Sequence, residues 1–320
     1  MVLQFLDQDA ACGRLVVAPL CYWALAALAT PALAQDVPTF SSRIDLVKLD
    51  VSVARGGRAV EGLVAADFAV LDNDVRQEVE LLGREETALE ATLLLDTSQS
   101  VWGRKLTELK RAVARFVQEL GPADRASLIT FSRQVRECAE PSLDRAALLA
   151  AVDRVEAGGT TSLCDAVLLG LVRLQPGERR PVLVVFSDGA DFLSWLTPEE
   201  VVAVARRSEA VVYVIRAGEA PGPGPTIGSL SPSLRYMHAS KPEARPWLDD
   251  LAVTSGGAVF WSHESQLTEA FLGVLRALKT RYVLRYEPTG VAGEGWHTLK
   301  VRTPHSRGDV RTRAGYFARR

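Results

Sequence analysis

The sequence predicts an α/β fold: a doubly wound, mostly parallel sheet with helices on both faces, flanked by small β segments. Between residues 89 and 279, short runs that are apolar on both faces alternate with amphipathic stretches of helical period. This pattern is typical of parallel strands buried under helices. On either side of this region, apolar and polar residues alternate with period two, which indicates antiparallel strands with one buried face.

The composition excludes several classes of function. The 320 residues include 37 Lys and Arg against 39 Asp and Glu, a net charge of −2. This balance leaves no excess of positive charge to neutralise phosphates, so we expect no nucleic-acid partner. The four His residues contain no pair at helical ligand spacing, which argues against a zincin-type zinc site.

The first segment predicts export. An apolar run of signal-peptide length covers residues 15–29, after Arg14, and Ala32 and Ala34 supply the small side chains that signal peptidase requires. We therefore expect a signal peptide at residues 1–34, cleaved near Ala34, a secreted or periplasmic mature protein, and no membrane span after cleavage. An uncleaved signal anchor is the alternative.

Residues 35–88 are predicted to form an N-terminal β segment. Its clearest strand alternates apolar and polar side chains from Val47 to Val53, and a second strand covers residues 68–71. Asp72-Asn73-Asp74 follows the second strand. We interpret it as a hairpin turn, because the Gly and the distant Glu of a calcium-binding EF-hand loop are missing.

Residues 89–279 are predicted to form the α/β domain. Its predicted strands are 91–95, 126–131, 182–186, 211–215 and 258–261. Its predicted helices are 106–120, 143–155, 163–174, 198–207, 247–253 and 267–278. Residues 219–246 are rich in Pro, Gly and Ser and predict an inserted surface loop. Residues 280–320 return to period two and predict a C-terminal β segment that pairs with the N-terminal one.

Two cysteines, Cys138 and Cys164, remain in the predicted mature chain. They could pair in an oxidising compartment, but the sequence does not give the separation of their Cα atoms. We favour two buried, unpaired thiols. The chain has no C-x-x-C motif, which argues against redox chemistry.

Oxygen-bearing side chains follow three of the predicted strands. Asp96, Ser98 and Ser100 come directly after the first buried strand, Thr160-Thr161 lies in a glycine turn that precedes a helix, and Asp188 follows the strand 182–186. Ligands of open α/β sheets bind at the carboxyl ends of the strands. Hydroxyl and carboxylate oxygens suit a hard divalent cation such as Mg²⁺ or Mn²⁺, with a position left for water or an incoming carboxylate.

This D-x-S-x-S…T…D pattern resembles the von Willebrand factor type A family and its metal-ion-dependent adhesion site. The resemblance covers about residues 90–278, and the matching residues are Asp96, Ser98, Ser100, Thr161 and Asp188. Thr161 is favoured because T-S-L-C-D-A matches the family's T-x-L-x-D-A, and Thr160 is the alternative. The flanking GLVAADFAVLDND and RAGYFA segments resemble those of secreted bacterial proteins related to this family.

The resemblance implies a non-enzymatic, adhesion-type protein-binding module. The serines and Thr161 would bind Mg²⁺, or Mn²⁺ or Ca²⁺, and the aspartates would bind it directly or through water. The last coordination position would accept an Asp or Glu side chain from a protein partner.

Two other interpretations stay open. One is a Mg²⁺-dependent phosphohydrolase on the same sheet, although Ser98 stands where such enzymes need an acidic residue as general acid. The other is a structural scaffold with a degenerate site.

Four further residues lie near these loops. We expect Asp165 and Asp191 to cap helices or shape loops, and Trp102 and Trp195 to belong either to a partner surface or to ordinary packing.

Overall fold

The computed structural model describes residues 46–55, 58–83, 88–174, 177–218, 246–291, 293–304 and 308–318. The predicted signal peptide at residues 1–34 and residues 219–245 of the predicted insertion lie outside these ranges. Ile44–Arg320 forms one compact unit. The predicted boundaries of the segments 35–88, 89–279 and 280–320 stay predictions.

The strands and helices follow one another along the described chain. The strands are β1 (Val47–Arg55), β2 (Arg58–Ala59), β3 (Ala69–Asp72), β4 (Val75–Gln77), β5 (Glu80–Gly83), β6 (Leu89–Asp96), β7 (Arg125–Phe131), β8 (Val135–Ser142), β9 (Arg180–Ser187), β10 (Val211–Ala217), β11 (Ala258–Ser262), β12 (Arg281–Tyr286), β13 (Gly295–Arg302), β14 (Asp309–Arg311) and β15 (Gly315–Ala318). The α-helices are α1 (Arg104–Gln118), α2 (Arg145–Asp153), α3 (Leu163–Arg173), α4 (Pro198–Ala205), α5 (Pro246–Thr254) and α6 (Leu267–Lys279).

The central sheet has the strand order β11-β10-β9-β6-β7-β8. All neighbouring pairs are parallel except β7 and β8. Successive side chains of β6 point to opposite faces: Leu93 and Leu95 pack under α1, α2 and α6, whereas Leu94 packs under α3, α4 and α5. The predicted fold class, a mostly parallel sheet with helices on both faces, is confirmed.

Strand β8 was not predicted. It runs antiparallel to β7 at the edge of the central sheet, and its residues are exposed or half-buried. An exposed edge strand needs no continuous apolar run, and this one contains Pro141, which is tolerated at a sheet edge. The helix predicted from residue 143 therefore begins later, at Arg145.

Cys138 and Cys164 do not form a disulfide with each other, as expected, but only one of them is buried. Cys164 is buried in α3. The prediction of a buried thiol at Cys138 is wrong, because this residue lies on the unpredicted edge strand β8 and is exposed.

The outer strands join the two ends of the described chain. One sheet has the order β14-β1-β12-β5, with β2 also paired to β1, and the other has the order β15-β13-β3-β4. Strand β1 pairs antiparallel with both β12 and β14, which confirms the expected pairing of the N-terminal and C-terminal segments. Asn73 and Asp74 have φ angles of 44° and 65° between β3 and β4, so the predicted hairpin turn is also confirmed.

Within the described ranges, no helix is both long enough and apolar enough to span a bilayer.

Candidate metal centre

The candidate centre lies at the carboxyl edge of the central sheet, where the strand order changes direction. The chain passes from β6 to β7 on one side, and β9 then pairs with the other side of β6. In open α/β sheets, ligands bind at such a switch point. Asp96 is the last residue of β6 and Asp188 directly follows β9. The two predicted carboxylates therefore follow neighbouring strands.

Asp96 is fully buried and accepts hydrogen bonds from neutral groups. The backbone N–H of Ser98 donates to its Oδ1 at 2.9 Å, and Ser187 Oγ donates to its Oδ2 at 3.0 Å. Ser187 Oγ itself accepts a hydrogen bond of 2.9 Å from the backbone N–H of Gly189. In the part of the chain that the structure describes, no basic side chain forms an ion pair with Asp96.

This environment makes ionisation of Asp96 unfavourable. Burial raises the pKa of its carboxyl from 3.8 to about 6, and the charge of Asp188 adds to the rise. The hydrogen bonds from Ser98 and Ser187 act in the opposite direction without cancelling it. Since desolvation and a like charge both disfavour the carboxylate, a nearby cation would relieve both.

The two predicted serine ligands lie side by side. Ser98 Oγ and Ser100 Oγ are 3.1 Å apart, and Ser100 lies in a short 3₁₀ helix, Gln99–Val101, that precedes α1. The first loop therefore presents two hydroxyl groups next to the Asp96 carboxylate.

The glycine loop is bonded to this first loop by a reciprocal backbone pair. The N–H of Gln99 donates to the carbonyl of Gly159, and the N–H of Gly158 donates to the carbonyl of Thr97, each at 2.8 Å. Gly159 has a φ angle of +86°, a backbone conformation that residues with a Cβ rarely adopt. The glycines thus permit the close approach of the two loops.

Thr161 connects the glycine loop to the third loop. Its carbonyl oxygen accepts hydrogen bonds from the backbone N–H groups of Phe192 at 2.9 Å and Leu193 at 3.0 Å. Of the two adjacent threonines, Thr161 is buried, like Asp96, whereas Thr160 is exposed. The buried position is the one that the resemblance favours.

The structure brings the three predicted loops together. Hydrogen bonds connect Asp96 to Ser98 and Ser98 to Ser100, and Asp188 acts on Asp96 through its charge. Thr161 is joined to the group through the backbone contacts of its loop.

Three supporting residues were not predicted. Ser187 holds the Asp96 carboxylate, and Thr97 donates through its side chain and its backbone to a carbonyl of β7. Arg216 is fully buried behind the third loop, with Nε 2.7 Å from Asp249 Oδ1 and Nη1 3.5 Å from the Asp188 carbonyl oxygen. Their roles depend on the orientation of hydroxyl groups and on contacts between neighbouring strands, and the sequence pattern indicates neither.

Asp165 and Asp191 shape the loops, as expected. Asp191 accepts from the backbone N–H groups of Cys164 and Ser194, and Asp165 accepts from those of residues 195–196. Burial acts to raise the pKa of Asp191, but these hydrogen bonds outweigh it, so its pKa lies below the usual value. The third loop is therefore fixed against the start of α3.

The chemistry of the donor groups suits a hard cation. Two neighbouring carboxylates and several hydroxyls match the oxygen ligands that Mg²⁺ takes, and two negative charges balance a divalent ion. Among the described residues there is no group of three or more His, Cys, Asp or Glu that could hold a metal. A site for a softer metal with His or Cys ligands is thus not found in those residues.

Solved structures give the following likenesses. A von Willebrand factor type A protein from Catenulispora acidiphila is 12% identical, with 85% of this chain and 72% of that chain covered and a TM-score of 0.48. The conserved hypothetical protein BatB from Bacteroides thetaiotaomicron is 18% identical, with 60% and 100% covered and a TM-score of 0.44. Proximal thread matrix protein 1 from the mussel byssus, with a zinc-occupied MIDAS motif, is 16% identical, with 61% and 46% covered and a TM-score of 0.46.

Comparison of the sequence with known proteins gives a match to a family model but to no individual curated protein. The family model described as von Willebrand factor type A domain matches residues 92–190, the segment that contains all five predicted site residues. The predicted resemblance is confirmed over this segment: residues 92–190 match the family model of the von Willebrand factor type A domain.

Proposed function

We propose that the protein is a non-enzymatic protein-binding module whose binding depends on a divalent cation. In this proposal Asp96, Ser98, Ser100, Thr161 and Asp188 hold Mg²⁺, with Mn²⁺ and Ca²⁺ as alternatives. The ion supplies a positively charged acceptor for a carboxylate. The partner is a protein that presents an Asp or Glu side chain to it, as in adhesion.

The observation that carries the proposal is the buried environment of the Asp96 carboxylate. A fully buried carboxylate with neutral hydrogen-bond donors, and with Asp188 near enough to raise its pKa, is costly to ionise. Such a pair is stable at neutral pH when a cation compensates its charge. The hydroxyls of Ser98 and Ser100 stand next to the pair and complete an oxygen-rich set of donors.

The donors leave room for a ligand from outside the chain. Two carboxylates and three hydroxyls supply fewer oxygens than an octahedral ion takes, if each binds through one atom. Ser100 is exposed and Asp188 is half-buried, so the centre faces solvent on the side of these residues. A partner carboxylate can approach from that side.

Hydrolysis is the less favoured function. A phosphohydrolase built on Asp96 needs an acid near the leaving group, and the residue two positions later is Ser98, whose hydroxyl does not donate a proton readily near neutral pH. Turnover of p-nitrophenyl phosphate that is lost in Asp96→Asn would contradict the non-enzymatic proposal.

We also propose that the chain is exported. The support is the apolar run at residues 15–29 with Ala32 and Ala34 after it. N-terminal sequencing of the exported protein should begin at Gln35, and an intact Met1 terminus on membrane-bound protein would favour an uncleaved anchor instead.

Calorimetry with Mg²⁺ alone tests the metal centre directly. The wild type should bind close to one equivalent of Mg²⁺, and Asp96→Ala and Ser98→Ala should lower or abolish this binding. Asp309→Asn removes an exposed carboxylate of β14, outside the central sheet, and serves as the control with unchanged affinity. A wild type that binds neither Mg²⁺ nor Mn²⁺ would favour the degenerate scaffold.

A further inference from the structure

Four large apolar side chains lie exposed beside the candidate metal centre. Trp102, which follows the first loop, is 72% exposed, and in the third loop Phe192 is 62%, Leu193 43% and Trp195 95% exposed. We call these four residues the aromatic rim. Phe192, Leu193 and Trp195 are exposed within four consecutive residues of one loop, and contiguous exposed apolar surface on a protein marks an interaction site.

The backbone of the third-loop residues of the rim is hydrogen-bonded to the metal-site loops. The N–H groups of Phe192 and Leu193 both donate to the Thr161 carbonyl, and the N–H of Trp195 donates to both carboxylate oxygens of Asp165 at 3.1 Å. These bonds fix the path of the chain while the side chains point to solvent. The third loop thus presents its apolar groups in a preorganised form.

Trp102 is presented from the first loop in a similar way. Its backbone N–H donates to the Gln99 carbonyl, and its neighbour Val101 is only 1% exposed, so the turn is anchored in the core. The rim therefore includes side chains from two of the three loops that surround the candidate centre.

Basic side chains accompany these apolar groups. Lys105 Nζ donates to the Ser100 carbonyl at 3.3 Å, and the exposed Arg133 lies against the glycine loop, where a Cβ on Gly159 would be 3.4 Å from Arg133 Cβ. Together with a bound cation, these charges complement a negatively charged partner. The surface thus combines basic side chains and an open position on the proposed metal ion with exposed apolar side chains.

We propose that the aromatic rim is the docking surface for a protein segment in which an Asp or Glu side chain is flanked by bulky apolar side chains. The carboxylate approaches the metal centre, and the flanking groups pack on Trp195, Phe192, Leu193 and Trp102. Trp side chains are enriched among the residues that dominate binding energy at interfaces. This inference rests on the proposed function and adds the chemistry of the residues next to the acidic one.

Short synthetic peptides provide the test. The probes are a fluorescently labelled peptide with a central Phe-Asp-Leu, a matched peptide with Gly-Asp-Gly, and a Phe-Asn-Leu peptide, each measured by anisotropy with Mg²⁺ and with EDTA. We expect the Phe-Asp-Leu peptide to bind on the order of tenfold more tightly than the Gly-Asp-Gly peptide, in Mg²⁺ only. The Phe-Asn-Leu peptide should not bind.

Variants separate the rim from the metal centre. Trp195→Ser should remove the difference between the two Asp peptides while its Mg²⁺ affinity by calorimetry stays that of the wild type. Trp195→Phe should retain most of the difference. Leu143→Ser is the matched control. Leu143 is also exposed, but it follows β8, whose last residue pairs with the start of β7, at the amino ends of the parallel strands. This substitution should not change the binding of either peptide.

The outcomes distinguish the two proposals. Equal Mg²⁺-dependent binding of both Asp peptides, or binding of neither despite normal Mg²⁺ affinity, would overturn the rim and leave the metal centre standing. Absence of binding of Mg²⁺, Mn²⁺ and Ca²⁺ alike would overturn both. Binding to phosphatidylglycerol vesicles, or dimerisation in sedimentation, that is lost in Trp195→Ser while the peptides bind equally would also overturn the inference, in favour of a membrane or a second copy.

Discussion

The buried carboxyl of Asp96 couples folding to protonation and to metal binding at a single residue. In the metal-free protein its pKa is raised to about 6 by burial, against 3.8 in the unfolded chain. Between these two values the folded state binds a proton that the unfolded state does not. The contribution of this group to stability is therefore fully present below about pH 3.8 and is lost as the pH rises to about 6.

Asp96→Asn should consequently stabilise the metal-free protein at neutral pH. A shift of about two pKa units corresponds to about 3 kcal/mol, which is the upper limit for the gain in the free energy of unfolding. The gain should shrink as the pH is lowered towards about pH 4, where wild-type Asp96 is protonated. Urea unfolding in EDTA across this pH range measures it.

Mg²⁺ provides the complementary half of this prediction. It should raise the melting temperature of the wild type and leave that of Asp96→Asn unchanged, since a ligand stabilises only the state that binds it. Parallel pH profiles for the two metal-free proteins would contradict the role assigned to Asp96.

Gly189 is a second residue at which a small change should have a large effect. Its φ angle is +86°, and a Cβ at this position would lie 2.5 Å from Arg216 Nη1, which is fully buried. Gly189→Ala should therefore lower the free energy of unfolding by about 1–3 kcal/mol through backbone strain and overpacking. It should also displace the neighbouring Asp188 and weaken Mg²⁺ binding.

Gly177→Ala is the control for this prediction, because a Cβ on Gly177 has no neighbour within 4 Å. Denaturant unfolding and Mg²⁺ calorimetry on both variants make the comparison. If Gly189→Ala is as stable as Gly177→Ala, Arg216 does not support the third loop in the way we infer.

At the scale of elements, the sequence predicts the strands that are buried on both faces. It does not predict a strand that is only partly buried. The central strands could be recognised because a strand covered by helices on both faces is a nearly continuous apolar run. Strand β8 could not, since its edge position lets exposed charged residues such as Arg136 and Glu137 occupy it.

The same distinction applies to the candidate site. Its predicted residues stand at strand ends in a fixed order, which a pattern can detect. Ser187 and Arg216 act through the register of β6 beside β9 and of β9 beside β10, and register is set by pairing that is not local in sequence.

The start of α3 provides an element-scale prediction. Asp191 accepts from the Cys164 N–H at the first turn of α3, so Asp191→Ala should cost about 1–2 kcal/mol of stability, as loss of a cap does. Because its pKa is lowered in the folded state, this contribution is present above the unfolded pKa and is lost as the pH falls through the folded one. The loosened third loop should also weaken Mg²⁺ binding, by less than Asp96→Ala does.

Asp144→Ala is the matched control, since Asp144 caps α2 by accepting from the Ala147 N–H at 3.0 Å and does not contact the three loops. It should lower stability by a similar amount without changing Mg²⁺ affinity. Equal affinities for the two variants would mean that α3 and the third loop are not coupled.

At the scale of the whole molecule, the outer sheets join residues from both ends of the described chain around a buried polar cluster. Asp72 is fully buried, and it accepts hydrogen bonds from Tyr286 at 2.8 Å and from Tyr316 at 2.7 Å. His297 Nδ1 lies 2.9 Å from its other carboxylate oxygen. Burial and the hydrogen bond to Asp72 raise the pKa of both tyrosines, which therefore stay protonated as donors.

Asp72→Ala removes the common acceptor of this cluster and should be strongly destabilising. The buried Tyr286 and His297 and the half-buried Tyr316 would lose this partner together, which we expect to cost about 3–5 kcal/mol. Asp74→Asn, two residues away, removes an exposed ion pair with Lys300 and keeps a residue type that tolerates the positive φ of this turn, so it should cost less than about 1 kcal/mol.

The number of unfolding transitions tests whether the central sheet and the outer sheets unfold together. Ile44–Arg320 forms one compact unit, so Asp72→Ala should lower the midpoint of a single transition, seen alike by far-ultraviolet circular dichroism and by tryptophan fluorescence. At temperatures where the variant is still folded, its Mg²⁺ affinity should equal that of the wild type, because the cluster belongs to the outer sheets and the three loops belong to the central sheet. Two separate transitions, with Mg²⁺ shifting only the later one, would instead mean that the central sheet folds without the outer sheets.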